Sequence, residues 1–223
     1  MKRFALFLFV LLPAVVLAQD AAVVPIDKEP VHKLVFENEW LRVFEVVVPP
    51  HGSTLMHRHE WDYIFATLGD SDISNERMGE KAAHVVLKDG DVRYTGGGFA
   101  HVARNLSDLP FHNITIELKN PGKPVCGMDP APACKNSELF ATEHLTVHLT
   151  SLEPGEQTPI HTHPSPHLLV ALDDLTIEDH PVDQPEKLLS FRKGQVEWMS
   201  QSGTHFLKNA GKSRARLLSL ESK

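Results

Sequence analysis

Three pairs of apolar stretches set the character of this chain. Leu41-Arg-Val-Phe-Glu-Val-Val-Val48 and Leu145-Thr-Val-His-Leu-Thr-Ser-Leu152 are β-branched and largely apolar, and each stops at a proline. Tyr63-Ile-Phe-Ala-Thr-Leu68 and His167-Leu-Leu-Val-Ala-Leu172 run into turn residues. Asn113-Ile-Thr-Ile-Glu-Leu118 and Ala215-Arg-Leu-Leu-Ser-Leu220 complete the set. Short runs punctuated by Gly, Pro and Asp, with no long stretch of 3.6-residue period, predict an all-β sandwich or barrel with little helix.

The pairs arise from an internal repeat. Shifted by 104 positions, Phe36-Glu-Asn-Glu-Trp-Leu-Arg-Val43 falls on Phe140-Ala-Thr-Glu-His-Leu-Thr-Val147. The same shift lays His57 on His161, His59 on His163, Gly90 on Gly194, His101 on His205 and Asn105 on Asn209. Residues 36–119 match their counterparts at 17 of 84 positions without a gap, where ordinary composition would give about five. Two copies of one domain follow, expected at 30–119 and 136–223 and joined by a Pro/Gly-rich linker at 120–135.

The first residues read as an address. Met1-Lys2-Arg3 is a basic start, Phe4 to Leu17 an apolar run, and Val16-Leu17-Ala18 offers small residues before a cleavage point. The run is short of the roughly 20 residues that span a bilayer, so residues 1–18 are expected to be a secretory signal peptide. The expected location is the periplasm or the medium, with no membrane contact after cleavage. In that oxidising setting Cys126 and Cys134, eight apart, are expected to form a local disulfide. The net charge of −7 becomes −9 once Lys2 and Arg3 are removed, which argues against nucleic-acid binding. The partner expected is a small molecule, and the chain could be a monomer or a homo-oligomer.

Fourteen histidines are the compositional oddity. Copy one carries Gly52-x4-His57-Arg-His59-x3-Tyr63, then Gly90-x5-Gly96-x-Gly98-x2-His101-x3-Asn105. Copy two carries Gly155-x5-His161-Thr-His163-x3-His167, then Gly194-x5-Ser200-x-Ser202-x2-His205-x3-Asn209. Residues i and i+2 of a strand share a face, so an H-x-H pair can converge on one point, and a third His from a distant strand completes three nitrogen ligands. The candidate metal ligands are therefore His57, His59 and His101, and His161, His163 and His205. If strand parity holds to i+6, Tyr63 and His167 join them, and His167 is a candidate fourth ligand.

These blocks resemble the two motifs of the cupin family, G-x5-H-x-H-x3,4-E-x6-G and G-x5-P-x-G-x2-H-x3-N. Their recurrence resembles a bicupin, which implies two tandem cupin-type jelly-roll barrels with a divalent transition metal (Fe, Mn, Cu, Ni or Zn) in the mouth. The family's metal-binding Glu is missing from both copies; Tyr63 and His167 stand in its place, and Asp62 has the wrong parity. Oxalate-degrading bicupins keep that Glu, so its absence points away from oxalate. Cupins with three His ligands are often iron-dependent dioxygenases, which implies an oxidoreductase. A non-catalytic binding module and an isomerase or lyase are the alternatives. Four nitrogens close a site and three leave it open. Copy one is thus expected to be catalytic, with Tyr63 as the acid/base or hydrogen-bonding group in a pocket shared with Trp61 and Phe65, and copy two structural.

Overall fold

The computed structural model describes residues 22–128, 131–134, 138–200 and 202–223. The expected signal peptide lies outside the described residues. Among them there is no α-helix, and no helix long and apolar enough to cross a membrane.

Copy one comprises β1 (Val24–Pro25), β2 (His32–Glu37), β3 (Leu41–Val48), β4 (His57–His59), β5 (Tyr63–Thr67), β6 (Ser71–Arg77), β7 (Ala83–Leu87), β8 (Val92–Thr95), β9 (Phe99–Asn105) and β10 (Phe111–Leu118). They form two five-stranded sheets, β1-β4-β9-β6-β7 and β2-β3-β10-β5-β8. Copy two comprises β11 (Pro124–Cys126), β12 (Glu138–Thr142), β13 (Leu145–Leu152), β14 (His161–His163), β15 (His167–Ala171), β16 (Leu175–Pro181), β17 (Lys187–Phe191), β18 (Val196–Met199), β19 (Gly203–Asn209) and β20 (Ala215–Ser222). Its sheets run β11-β12-β13-β20-β15-β18 and β14-β19-β16-β17. Each copy is a two-sheet jelly roll; its hydrogen bonding stays in two separate sheets rather than closing one barrel.

The edges differ from the expected boundaries. β1 pairs in parallel with β4, Val24 facing His57, so residues before 30 belong to the copy-one sheet. Part of the linker is strand as well, because β11 pairs with β12. Cys126 and Cys134 are joined by a disulfide.

The β2-β3-β10-β5-β8 sheet of copy one packs against the β11-β12-β13-β20-β15-β18 sheet of copy two. Leu41, Val43, Ile64, Ile114 and Ile116 of copy one share one apolar cluster with Val147, Leu168, Val170, Leu218 and Leu220 of copy two. The opposite faces of the same strands cover each copy's own interior, around Phe44, Val46, Ile73 and Phe111 in copy one and Leu152, Ile177, Phe191 and Leu217 in copy two. Strands covered on both sides read as continuous apolar runs rather than alternating ones, which is why β15 is buried at all five positions.

This seam has an approximate two-fold relation. Phe36 stacks on Trp198 at 5.5 Å, and the equivalent residues Phe140 and Tyr94 meet at 6.3 Å. On the axis Lys193 Nζ reaches Asp89 Oδ1 at 2.6 Å, two residues that are counterparts under the 104-residue shift. Arg216 of copy two grips Asp173 through Nε and a terminal nitrogen at 2.8 and 2.6 Å, and reaches Asp89 Oδ2 at 2.6 Å.

Candidate metal centres

The short strand β4 turns both its histidines inward and Arg58 out. His101 on β9 stands directly opposite His57 in the antiparallel register. The ring centroids of His57 and His101 are 4.5 Å apart, and those of His59 and His101 5.2 Å. All three side chains are buried. Copy two repeats the arrangement, His161 on β14 facing His205 on β19, with ring centroids 4.6 Å apart.

Five of the six rings are braced through Nδ1. His57 Nδ1 donates to the Leu55 carbonyl at 2.9 Å, and His101 Nδ1 to Asn75 Oδ1 at 2.7 Å. His59 Nδ1 lies 3.3 Å from Glu117 Oε1 without a hydrogen bond between them. In copy two, His161 Nδ1 donates to the Pro159 carbonyl at 2.9 Å, His163 Nδ1 to Glu221 Oε1 at 2.8 Å and His205 Nδ1 to Asp179 Oδ1 at 2.6 Å. The residues beside Nδ1 are themselves counterparts at 104: Leu55 and Pro159, Asn75 and Asp179, Glu117 and Glu221. Such bonds fix tautomer and ring orientation, leaving Nε2 unprotonated and free to ligate. The Nε2 atoms of His57, His101 and His205 are buried without any partner. An orphaned buried acceptor costs about 1–3 kcal/mol, and a bound cation would relieve it.

Burial disfavours the charged form of four of these imidazoles. It pushes His57 down to about 3, with the nearby His32 adding to the effect, and His101 down to about 2. Burial also holds His59 and His161 below the usual histidine value. Neutral nitrogens in this number suit a transition metal better than Mg or Ca.

One imidazole in copy one escaped the sequence reading. His32 opens β2 with its ring 4.6 Å from that of His57, and the ligating atoms of His32, His57 and His59 all lie within 4.8 Å of one another. Its Nδ1 is 2.6 Å from Glu29 Oε2, and Glu29 also accepts from the Val31 and Leu55 backbone N–H groups at 2.9 and 3.0 Å. Copy two has Asn136 and Ala133 at the matching positions, so the repeat carried no signal for this pair. Glu117 and Glu221 did leave one: they are identical under the shift.

His167 does not take the place expected of it. The ligating atoms of His161, His163 and His205 lie within 4.8 Å of one another, while His167 stands outside that group, stacked on His163 at 4.0 Å and 18°. Tyr63 stacks on His59 in the same way, at 4.1 Å and 17°. The parity argument assumed one continuous strand from i to i+6. The chain instead changes sheet between β14 and β15, and between β4 and β5, so the ring is laid flat against the H-x-H pair. The copy-one group that meets the same distance is His32, His57 and His59, and His101 stands outside it as His167 does in copy two. Trp61 also departs from expectation, lying beneath the Arg42 guanidinium at 4.5 Å rather than in the pocket.

The cavities differ as well. Copy one holds a cavity of about 160 Å³ that includes His32, His57, His59, His101, Tyr63 and Phe65 in its wall. The corresponding space in copy two is about 30 Å³. Burial raises Tyr63 to about 12, so its hydroxyl stays protonated at neutral pH.

No family model and no curated protein matches the chain. Among solved structures, a cupin domain from Bordetella pertussis is 30% identical, covering 40% of this chain and 91% of its own, with a TM-score of 0.38. A cupin 2 conserved barrel domain protein from Leptotrichia buccalis is 14% identical over 86% of this chain and 88% of its own, with a TM-score of 0.54. An oxalate decarboxylase from Bacillus subtilis, which has Mn(II) centres, is 11% identical over 83% of this chain and 70% of its own, also at 0.54. The latter two are likenesses of fold. Both motifs recur, each on a jelly roll with its histidines turned inward, and the chain shares the fold of these cupin proteins.

Proposed function

We propose that this bicupin is an exported, metal-dependent enzyme, an oxidoreductase of the dioxygenase type, which acts on a small organic molecule in copy one. The observation that carries the reading is the cluster of buried, braced imidazoles with unpartnered Nε2 atoms opening on the larger cavity. His57, His59 and His101 would hold a divalent transition metal, with His32 as a fourth nitrogen in place of the family's carboxylate. When bound, the metal would supply Lewis acidity and, if redox-active, a route for electrons to dioxygen.

The remaining residues act on the substrate and on water. Tyr63, protonated at neutral pH, donates a hydrogen bond to a substrate oxygen rather than acting as a base. Phe65, Ile73 and Phe111 exclude water from the far side of the cavity. His161, His163 and His205 would hold a second ion in copy two, where little space remains for a substrate. The amino-terminal signal-like run and the Cys126–Cys134 disulfide support export to an oxidising compartment.

The test is metal analysis of protein purified from its native compartment, then oxygen uptake with a panel of small acids and phenols. His101→Ala is expected to abolish turnover, and His205→Ala to keep it while lowering metal content. Protein that carries no transition metal would refute the reading. Turnover that survives His101→Ala but not His205→Ala would move the chemistry to copy two.

A further inference from the structure

Arg77, the last residue of β6, pairs with His101 in the sheet register and contributes to the wall of the copy-one cavity. Its guanidinium lies 4.0 Å over the Phe99 ring, which fixes its position without using its N–H groups. Arg42, Arg104 and Arg216 each have a carboxylate partner within 3.1 Å. Arg77 has none among the described residues, nor any other side-chain hydrogen bond. Arg93 contributes a second positive charge to the wall, held by Asp91 at 3.6 Å and by the Val86 carbonyl at 3.5 Å.

No Asp or Glu lines this cavity, and the buried carboxylates behind it, Glu29 and Glu117, are engaged by His32 and Arg42, which leaves Arg77 facing the space unpaired. Phe65, Ile73, Val85 and Phe111 give the wall an apolar stretch, beside the polar side chains of Thr54, Asn75, Thr95, Asn113 and Thr115. In copy two the counterparts of Arg77 and Arg93 are Pro181 and Glu197, and Asp179 lines the smaller space. The basic wall is a property of copy one alone. A planar guanidinium with free N–H groups matches a carboxylate with two parallel hydrogen bonds.

We propose that the copy-one cavity takes a small monocarboxylic acid with an apolar body, its carboxylate held by Arg77 and its body lodged among Phe65, Val85 and Phe111. This rests on copy one being the working site, and it names the substrate class that the site selects. Arg77 is then the residue that sets specificity for an anion.

The test uses the metal-loaded full chain and isothermal titration with two acids, benzoate and phenylacetate, against their neutral amides, benzamide and phenylacetamide. At least one acid is expected to bind about 10–100-fold tighter than its amide, the range for a hydrogen bond to a charged group. Arg77→Gln should erase that preference while leaving metal content unchanged; Arg104→Gln, at the surface, should preserve it. Equal binding of acid and amide, no binding of either acid, or an unchanged preference in Arg77→Gln would each overturn the proposal. Metal content measured on the same samples separates this from the metal reading. Loss of metal with acid preference intact sinks only the latter, and retained metal without acid preference sinks only this one.

Discussion

Glu29→Gln is the smallest change that should disable the copy-one metal centre. Glu29 is 2% exposed and acts purely as an acceptor: Oε2 serves Val31 N–H and His32 Nδ1, and Oε1 serves Leu55 N–H. Burial works against its charge, yet the bonds from His32, Leu55 and Val31 outweigh burial and hold the carboxyl below the ordinary glutamate value. Leu55 passes the brace on, because its carbonyl accepts from His57 Nδ1. One carboxylate therefore positions two imidazoles. An amide of the same shape must point its NH2 at one of three donors. If that donor is Leu55, a buried N–H is orphaned at a cost of about 1–3 kcal/mol. If it is His32, the ring must exchange tautomers and place its proton on Nε2, where a ligand lone pair is needed. Loss of such a brace lowers metal affinity by about 10–100-fold. At roughly 2–4 °C of Tm per kcal/mol for a chain of this size, the first outcome lowers Tm by about 2–12 °C. The assay is Zn(II) titration against graded chelators in a His161→Ala/His205→Ala background, which leaves only copy one to bind. Zinc affinity equal to that of the parent would refute the bracing argument and with it the role given to His32.

Three further outcomes are expected. His167→Phe, which keeps the stack on His163 and removes the ring nitrogens, should leave metal occupancy of copy two unchanged; a clear loss would restore His167 as a ligand. Gly90→Ala should destabilise the chain by about 2–3 kcal/mol more than Gly79→Ala, as read from denaturant midpoints. Both glycines have left-handed φ, +83° and +79°, but a Cβ at 90 would sit 2.0 Å from an Arg216 terminal nitrogen while one at 79 meets nothing within 4 Å. The difference is the low end of the cost of disturbing a buried ion pair, because Asp89 is partly exposed. Equal costs would show that Arg216 yields freely. Metal-free protein should lose stability as pH falls from 6.5 towards 5. His57, His101 and His167 have folded-state values of about 3, 2 and 4, so below the unfolded value of 6.5 the unfolded chain takes up protons that the folded chain refuses. Each contributes up to about 1.4 kcal/mol per pH unit, and nothing above 6.5, where both states are neutral. Denaturant midpoints at pH 7, 6 and 5 in a chelator check this, and a flat response would refute it.

The repeat and the H-x-H pairs were legible because they are local or periodic. β4 needs only three residues to aim His57 and His59, and the 104-residue shift finds His101 through its copy-two twin. What stayed hidden depends on non-local pairing. His32 reaches the site because a segment ahead of the expected domain start pairs with β4 and folds back as β2, and no residue in copy two echoes it. His167 was set among the ligands for a related reason: i+6 parity assumes an unbroken strand, and the prolines in Pro164-Ser-Pro166 end it, while Tyr63 stands in the cavity wall. Arg77 carries no motif, and its meaning comes from the acidic partner that it lacks.

The contact between Asp89 and Lys193 says something about why the two halves are one polypeptide. In a symmetric pair of identical subunits, a residue on the two-fold axis faces its own copy. Position 89 would then set aspartate against aspartate, or lysine against lysine, a like-charge clash at the centre of the seam. Joining the halves in one gene frees each to mutate alone, and at this position the freedom turns self-repulsion into a 2.6 Å ion pair. Once the axis carries opposite charges, return to a homodimer is penalised from either half: two amino-terminal halves would set carboxylate against carboxylate, and two carboxy-terminal halves ammonium against ammonium. The fusion behaves as a ratchet, and behind it the two cavities have been at liberty to drift apart.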